Sequence, residues 1–137
     1  MTVSQRVNAE WNAVPYPDGW TSVSDPEAVT YWHDAGVPWR ARSWRGVKHP
    51  SSPALHTVSR AQWGDAPLPR TIWVPRQLTR AARVIDEDRL WSFADAIGGA
   101  RGLVRRPELV SALLATAALV PAGTERRAAL AALMEGA

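Results

Sequence analysis

The residues of this chain that could carry specific chemistry are arginines and tryptophans, which alternate near its centre. Trp39, Arg40, Arg42, Trp44 and Arg45 fall within seven positions. Guanidinium groups bind phosphate oxygens and indole rings stack on bases, so this pattern indicates nucleic-acid binding. The same two residue types dominate the energetics of protein interfaces. A third interpretation is that the indoles form a core while the arginines solvate its rim or stack on it.

Charge is concentrated in the same part of the chain. Residues 35–85 carry nine basic groups against one carboxylate, a net charge of +8, whereas residues 1–34 carry −4 and residues 86–137 carry −1. We therefore predict a partner-binding surface within this basic block. The predicted partner-binding residues are Trp39, Arg40, Arg42, Trp44, Arg45, Trp63, Trp73 and Arg76.

No arrangement of residues predicts catalysis, a metal site or a cofactor. His33, His49 and His56 lack the i, i+4 spacing of helical metal ligands. No Gly-x-Ser-x-Gly elbow frames a serine. The glycine-rich segment 98–102 is followed by no lysine and matches neither a P-loop nor a dinucleotide fingerprint, so it is interpreted as a helix stop and linker. The chain is accordingly predicted to be non-enzymatic.

Composition excludes several classes of protein. The chain has no cysteine, which excludes disulfide scaffolds, iron–sulfur clusters and thiol nucleophiles. Residues 1–7 lack the apolar run of a signal peptide. The longest apolar run, 109–120, is interrupted by Ser111 and Thr116 and is too short to span a bilayer. We expect a cytoplasmic or virion protein with no signal peptide, no transmembrane segment and no membrane partner.

The elements that must position the arginines and tryptophans are short strands and loops over 1–78. Nine of the 11 prolines and seven of the eight tryptophans lie before residue 76. Asp25 and Pro26 predict the start of a short helix that ends before Gly36. The alternation after Val37 predicts a strand with Trp39, Ala41 and Ser43 on one face and Arg40, Arg42 and Trp44 on the other. Residues 71–74 predict a second strand, closed by Pro75.

The remainder, 79–137, is predicted to be a small helical region with three short helices. The first begins at the acidic run 86–88, which suits a helix N-terminus, and ends at 98–99. The second runs from Pro107 to Pro121, and the third is capped by Thr124. The last two form an antiparallel hairpin. The predicted class is α+β, with both parts in one compact unit.

A small, cysteine-free chain with 15 Arg and one Lys, in which Pro- and Trp-rich loops precede a few helices, resembles the minor structural proteins of actinobacterial phages. The likeness is one of composition and not of motif. It implies a non-enzymatic structural or adaptor subunit, such as a head–tail or minor tail component, with other protein subunits as partners in a homo- or hetero-oligomer. The alternatives are a nucleic-acid-binding module that uses residues 35–85 and a carbohydrate-binding module that uses exposed tryptophans.

Overall fold

A computed structural model describes residues 9–11, 13–15, 18–44, 47–48, 56–58, 60–96 and 98–136. Two compact units divide the chain, Met1–Arg76 and Gln77–Ala137. The described strands β1–β6 are Trp20–Val23, Trp39–Ala41, Ser43–Trp44, Val47–Lys48, His56–Val58 and Ile72–Pro75. The described helices α1–α7 are Pro26–Asp34, Arg60–Trp63, Arg76–Glu87, Trp91–Ala96, Ala100–Val104, Pro107–Leu119 and Thr124–Glu135. The predicted α+β class is confirmed.

Four strands of the first unit form one antiparallel sheet, in the order β1-β6-β2-β5. Trp73 is the register partner of both Ser22 and Arg40, and Arg40 also faces Thr57. These four residues therefore lie in one row across the sheet. Because neighbours in such a row point to the same side, their side chains share a face. The short strands β3 and β4 form a separate hairpin.

The two faces of this sheet differ in burial. The inner face holds an apolar group that is at most 2 % exposed, formed by Trp39, Ala41, Val58, Ile72 and Val74. At its β1 edge lie the half-buried Thr21 and Val23. The outer face carries Trp20, Ser22, Arg40, Thr57 and Trp73. The predicted alternation of Trp39 and Ala41 with Arg40 is confirmed. Its predicted continuation through Ser43 and Trp44 is wrong, because the strand ends at Ala41, the chain bends at the exposed Arg42, and residues 43–44 pair in the separate hairpin.

Helix α1 contacts the inner face through His33 and Trp39, and its predicted start at Asp25 and Pro26 is confirmed. His33 on its buried side accepts a hydrogen bond at Nδ1 from the indole N–H of Trp39, at 3.2 Å. Val29 and Trp32 are buried on the same side. Gly36 follows the helix with a φ of +79°, in the left-handed region that favours glycine. The opposite side of α1 faces away from the sheet.

Indole rings form much of the buried interior of the first unit. The rings of Trp39 and Trp63 meet edge to face, with centroids 5.1 Å apart. The Trp63 N–H donates to the carbonyl of Ala66 at 3.0 Å, and the Trp20 N–H donates to the carbonyl of Val14 at 2.9 Å. Each ring thus buries its apolar body while its single donor is bonded, which is how tryptophan replaces the missing aliphatic residues.

The predicted helix start at the acidic run 86–88 is wrong. Helix α3 begins at Arg76 and ends at Glu87, so the carboxylates stand at its C-terminal end. Leu78, Ala81 and Ile85 recur at helical spacing and are buried. Burial of this stripe outweighs the unfavourable placement of acidic groups at the negative end of the helix dipole, because packing supplies most of the stability of a short helix.

The end of α3 is a Schellman motif with an arginine at its left-handed position. Arg89 has a φ of +55°. Its N–H donates to Asp86 O at 3.1 Å, and the N–H of Leu90 donates to Ile85 O at 3.0 Å. Ile85 and Leu90 are both buried, as the apolar contact of this motif requires. Glycine is the residue that usually occupies such a position, since a Cβ is strained there.

Replacing Arg89 with glycine is expected to raise the free energy of unfolding by about 0.5–1 kcal/mol. Relief of a left-handed non-glycine residue gains about 1–2 kcal/mol, and the greater freedom of glycine in the unfolded chain removes about half of that. Chemical denaturation of Arg89→Gly against the parent measures the difference. Arg89→Ala is the matched control and should change little, because it removes the charge but keeps the Cβ. Equal shifts for the two variants would contradict this explanation.

The second unit holds more helices than the three predicted. The segment 98–102, predicted to be a helix stop and linker, instead leads into the short helix α5, Ala100–Val104, which follows Gly98 and Gly99 at φ of +87° and +63°. Helices α6 and α7 correspond to the two predicted C-terminal helices and pack against each other. Gly123, and not Thr124, occupies the N-cap of α7. The buried residues of α6 and α7 are Leu109, Val110, Leu113, Leu130 and Met134.

A candidate binding cleft on the outer face of the sheet

A shallow cleft of about 490 Å³ opens on the first unit. Strand β1 contributes one lining residue, β6 and the segment before it contribute four, and the bend after β2 contributes one. The lining residues are Ser22, Arg42, Pro69, Arg70, Thr71 and Trp73. Because β1 and β6 pair across some 50 positions of sequence, the cleft exists only when the sheet is formed.

Arg42 and Trp73 form the centre of the cleft. The guanidinium carbon of Arg42 lies 5.7 Å from the ring centroid of Trp73, within the range of a cation–π contact. Arg42 is exposed and Trp73 is half-buried. A guanidinium presents its N–H donors in its own plane, so contact with a ring through its face still allows those donors to bind a ligand.

Two further arginines support the outer face. The guanidinium carbon of Arg40 lies 4.1 Å from the ring centroid of Trp20, and its Nε donates to Thr57 Oγ1 at 2.9 Å. Arg76 donates from a terminal nitrogen to the carbonyl of Trp20 at 3.5 Å. Arg40 thereby covers Trp20 and connects β2 to β5. These contacts make Arg40 and Arg76 supports of the face that carries the cleft.

The charge of the cleft is positive. Its lining has two guanidinium groups and no carboxylate. Neither Arg42 nor Arg70 has an ion-pair partner among the described residues. The ion pairs that those residues do form all involve Arg126 in the second unit. The hydroxyls of Thr71 and Ser24 lie 3.0 Å apart and hydrogen-bond each other at the side of the cleft. A carboxylate or phosphate group beside a flat ring is the ligand that suits this arrangement.

The structure separates the predicted partner-binding residues into groups. Arg42 and Trp73 line the cleft, and Arg40 and Arg76 lie beside it. Trp39 and Trp63 are corrected to core residues, because their side chains are 0 % and 1 % exposed and contact each other. Trp44 has its backbone in β3, its side chain is outside the described part, and Arg45 lies outside the described residues.

Four lining residues were not among the predicted ones: Ser22, Pro69, Arg70 and Thr71. Arg70 lies in the basic block, directly before the strand that carries Trp73. That position was the one available signal, since an arginine at a strand entry can reach the same face as a residue further along it. Ser22 carries no such signal, because its place depends on the pairing of β1 with β6.

No described residues suggest a metal site: three or more histidines or carboxylates do not converge anywhere among them. His33 is the one histidine whose side chain is described, and it is buried against Trp39. Burial lowers the pKa of His33, Asp34 acts in the opposite direction, and Arg60 lowers it further. Its neutral ring is required to accept the Trp39 N–H.

Acid is expected to destabilise the fold through His33. With its pKa lowered in the folded state, the histidine binds a proton more readily when the chain is unfolded. The stability that neutral His33 contributes is therefore fully present above its ordinary pKa of about 6.5. It is lost as the pH falls from about 6.5 towards the lowered pKa that His33 has in the folded state. Denaturant unfolding between pH 8 and 5 should show this loss. His33→Asn, which keeps an acceptor but does not titrate, should show a smaller slope; an unchanged slope would contradict the assignment.

Comparison with known protein families, curated proteins and solved structures gave no match. Function must therefore be inferred from the residues of the chain itself. None of the described helices is long and apolar enough to cross a membrane.

Proposed function

We propose that this chain is a non-enzymatic structural or adaptor subunit that binds another protein through the outer face of its sheet. The observation that carries the proposal is the cleft lined by Arg42, Arg70 and Trp73, in which the guanidinium of Arg42 contacts the Trp73 ring. Arginine and tryptophan are enriched among the residues that dominate protein–protein binding energy. The compositional likeness to minor phage structural proteins supports a head–tail or tail assembly as the setting.

The form of the cleft favours a protein partner over a nucleic acid. Sites for single strands combine a charged groove that follows the backbone with several aromatic platforms for successive bases. This cleft offers a single ring, two guanidinium groups and the hydroxyls of Ser22 and Thr71 in one compact place. Such a set can hold one or two acidic side chains and a flat group of a partner, as a localised interface contact does.

Photocrosslinking from position 22 tests this proposal. A photoreactive amino acid replaces Ser22, which is exposed and lines the cleft, and the chain is irradiated in extracts of its native source. We expect discrete protein adducts that disappear in an Arg42→Gln/Arg70→Gln background. The same amino acid at the exposed Asp95 of the second unit is the control. Adducts that are equal from both positions, or that persist without the two arginines, would contradict the proposal.

Nucleic-acid binding is the second candidate, and the pairing of Arg42 with Trp73 is the observation that favours it. A single strand held by both cleft arginines would lose affinity as salt rises, and removal of each arginine would reduce the slope of log K against log salt by about 0.7. Titration of a fluorescent oligonucleotide into the parent and the Arg42→Gln and Arg70→Gln variants measures these slopes. Binding that is absent, or slopes that do not change, would exclude this candidate.

A further inference from the structure

Helix α1 of the first unit carries chemistry complementary to that of the cleft. On the exposed side of α1, Glu27 and Tyr31 stand four residues apart and so lie one above the other on the helix. Tyr31 is 47 % exposed. Few other large apolar side chains in the described part of the chain are exposed. Asp25 adds a second exposed carboxylate at the start of the helix. This surface, Asp25, Glu27 and Tyr31, is called the acidic helix face.

The two surfaces match in kind. The cleft presents two guanidinium groups and an indole ring, and the acidic helix face presents two carboxylates and a phenol ring. Arginine pairs with carboxylates through two parallel hydrogen bonds, and rings of this size stack or meet edge to face. Residues 1–34 carry a net charge of −4 and residues 35–85 a net charge of +8, so the two surfaces also belong to oppositely charged parts of the chain.

Among the described residues, no ion pair joins the acidic helix face to the cleft arginines within one folded unit. Asp25 lies nearest the cleft, because the preceding Ser24 hydrogen-bonds the lining residue Thr71. Helix α1 lies against the inner face of the sheet through the contact of His33 with Trp39. Its exposed side therefore points away from the sheet, whereas the cleft opens on the outer face. When each subunit uses its cleft on one neighbour and its acidic helix face on another, the contact is heterologous, and its repetition gives a ring or a filament.

We propose that a second copy of this chain places its acidic helix face in the cleft, so that copies associate head to tail. This inference rests on the proposed function, of which it names the partner. Glu27 of one copy pairs with Arg42 or Arg70 of the next, and Tyr31 meets Trp73. A surface built mainly from charge pairs gives an association that depends strongly on ionic strength.

Sedimentation of the full chain at rising concentration tests the association. We expect oligomers at roughly 0.01 M ionic strength, where the Debye length is about 30 Å, and dissociation towards monomers at roughly 0.15 M, where it is about 8 Å. Arg42→Glu/Arg70→Glu should remove the association at low salt. Arg101→Glu/Arg105→Glu makes the same change of charge at exposed positions of the second unit and is the matched control. A parent chain that stays monomeric, or an equal loss in the control, would overturn the inference.

Exchange of charge between the two surfaces gives a sharper result. Asp25→Arg/Glu27→Arg should also be monomeric, because both of its surfaces are then basic. An equimolar mixture with Arg42→Glu/Arg70→Glu should associate again, since each variant keeps the surface that the other needs. Glu27→Gln/Tyr31→Ala, which adds no charge at the helix start, should weaken association of the parent type by roughly tenfold. A mixture that remains monomeric while both variants melt as the parent does would overturn the inference.

The outcome also separates this inference from the proposed function. Photocrosslinks from position 22 to a different protein, with no self-association, would overturn head-to-tail assembly and leave the adaptor role standing. Self-association in which every crosslink from position 22 joins two copies of this chain supports the proposed function and the head-to-tail assembly together. Absence of self-association and of every adduct would remove both. Binding of an oligonucleotide by a chain that stays monomeric would overturn the inference in favour of the nucleic-acid candidate.

Discussion

Replacement of Trp39 by alanine is expected to lower the free energy of unfolding by about 3–5 kcal/mol, the range for deleting a large buried aromatic side chain. The indole is fully buried, meets the ring of Trp63 at 5.1 Å and donates its N–H to His33. Its removal leaves a cavity in the inner layer and an unsatisfied acceptor on α1. Denaturant-induced unfolding of the purified chain measures the loss.

Trp73→Ala is the matched control for this prediction. Trp73 lies on the neighbouring strand but faces outward and is half-buried, so its loss should cost only about 1–2 kcal/mol. The two variants should also differ in function, because Trp73 lines the cleft and Trp39 does not. If both substitutions destabilise equally, or if a folded Trp39→Ala chain loses partner binding while Trp73→Ala keeps it, the division into an inner core and an outer binding face is wrong.

Removal of Arg126 is expected to have the second large effect, about 3–5 kcal/mol of lost stability. Its Nε donates to Asp88 Oδ2 at 3.0 Å, and its side chain is only 12 % exposed. Asp88 is 5 % exposed, so in Arg126→Met its carboxylate would remain buried without a partner. An unpaired buried charge destabilises the folded state by much more than an intact ion pair stabilises it. The pair connects the end of α3 to the first turn of α7.

Two variants show whether burial is the reason. Glu87 also faces Arg126, at 3.7 Å, but is 56 % exposed, so Glu87→Gln should change the free energy of unfolding by only about 0.5 kcal/mol. The double variant Asp88→Leu/Arg126→Met removes both charges and should be more stable than Arg126→Met alone. If the double variant is no more stable than Arg126→Met, the cost does not come from the orphaned carboxylate.

The elements that the sequence predicts well are those with local signals. Asp25 and Pro26 identify the start of α1, and Pro107 and Pro121 delimit α6. The alternation of Trp39 and Ala41 with Arg40 predicts which of them is buried. The α+β class follows from these elements, because the prolines exclude long helices from the first part.

Helix α3 shows why other elements cannot be predicted in this way. An acidic run suits a helix N-terminus, yet Asp86 and Glu87 end the helix and Asp88 pairs with Arg126 on a distant turn. That pairing is nonlocal, so the run alone cannot reveal it. The reversal of the chain at Arg89 is equally hidden, because an arginine there replaces the glycine that normally indicates a left-handed residue.

The sequence predicts the residue types that form the cleft, but not which of those residues line it. Composition identifies arginine and tryptophan as the chemistry of the chain, and it cannot separate Trp73 from Trp39. The strand order β1-β6-β2-β5 makes that separation, since it places Ser22, Trp73 and Arg40 in one row on the outer face. This order brings Arg42 and Arg70 to the same cleft as Trp73.

The most direct test of the central claim, that the outer face of the sheet binds the partner, is hydrogen–deuterium exchange of the chain within its native assembly and alone. We predict that assembly slows exchange at residues 70–73, at Arg42 and along β1, which surround the cleft. The paired helices α6 and α7 should exchange equally in both samples and serve as the internal control. Slower exchange confined to α6 and α7, or no difference around the cleft, would contradict the account.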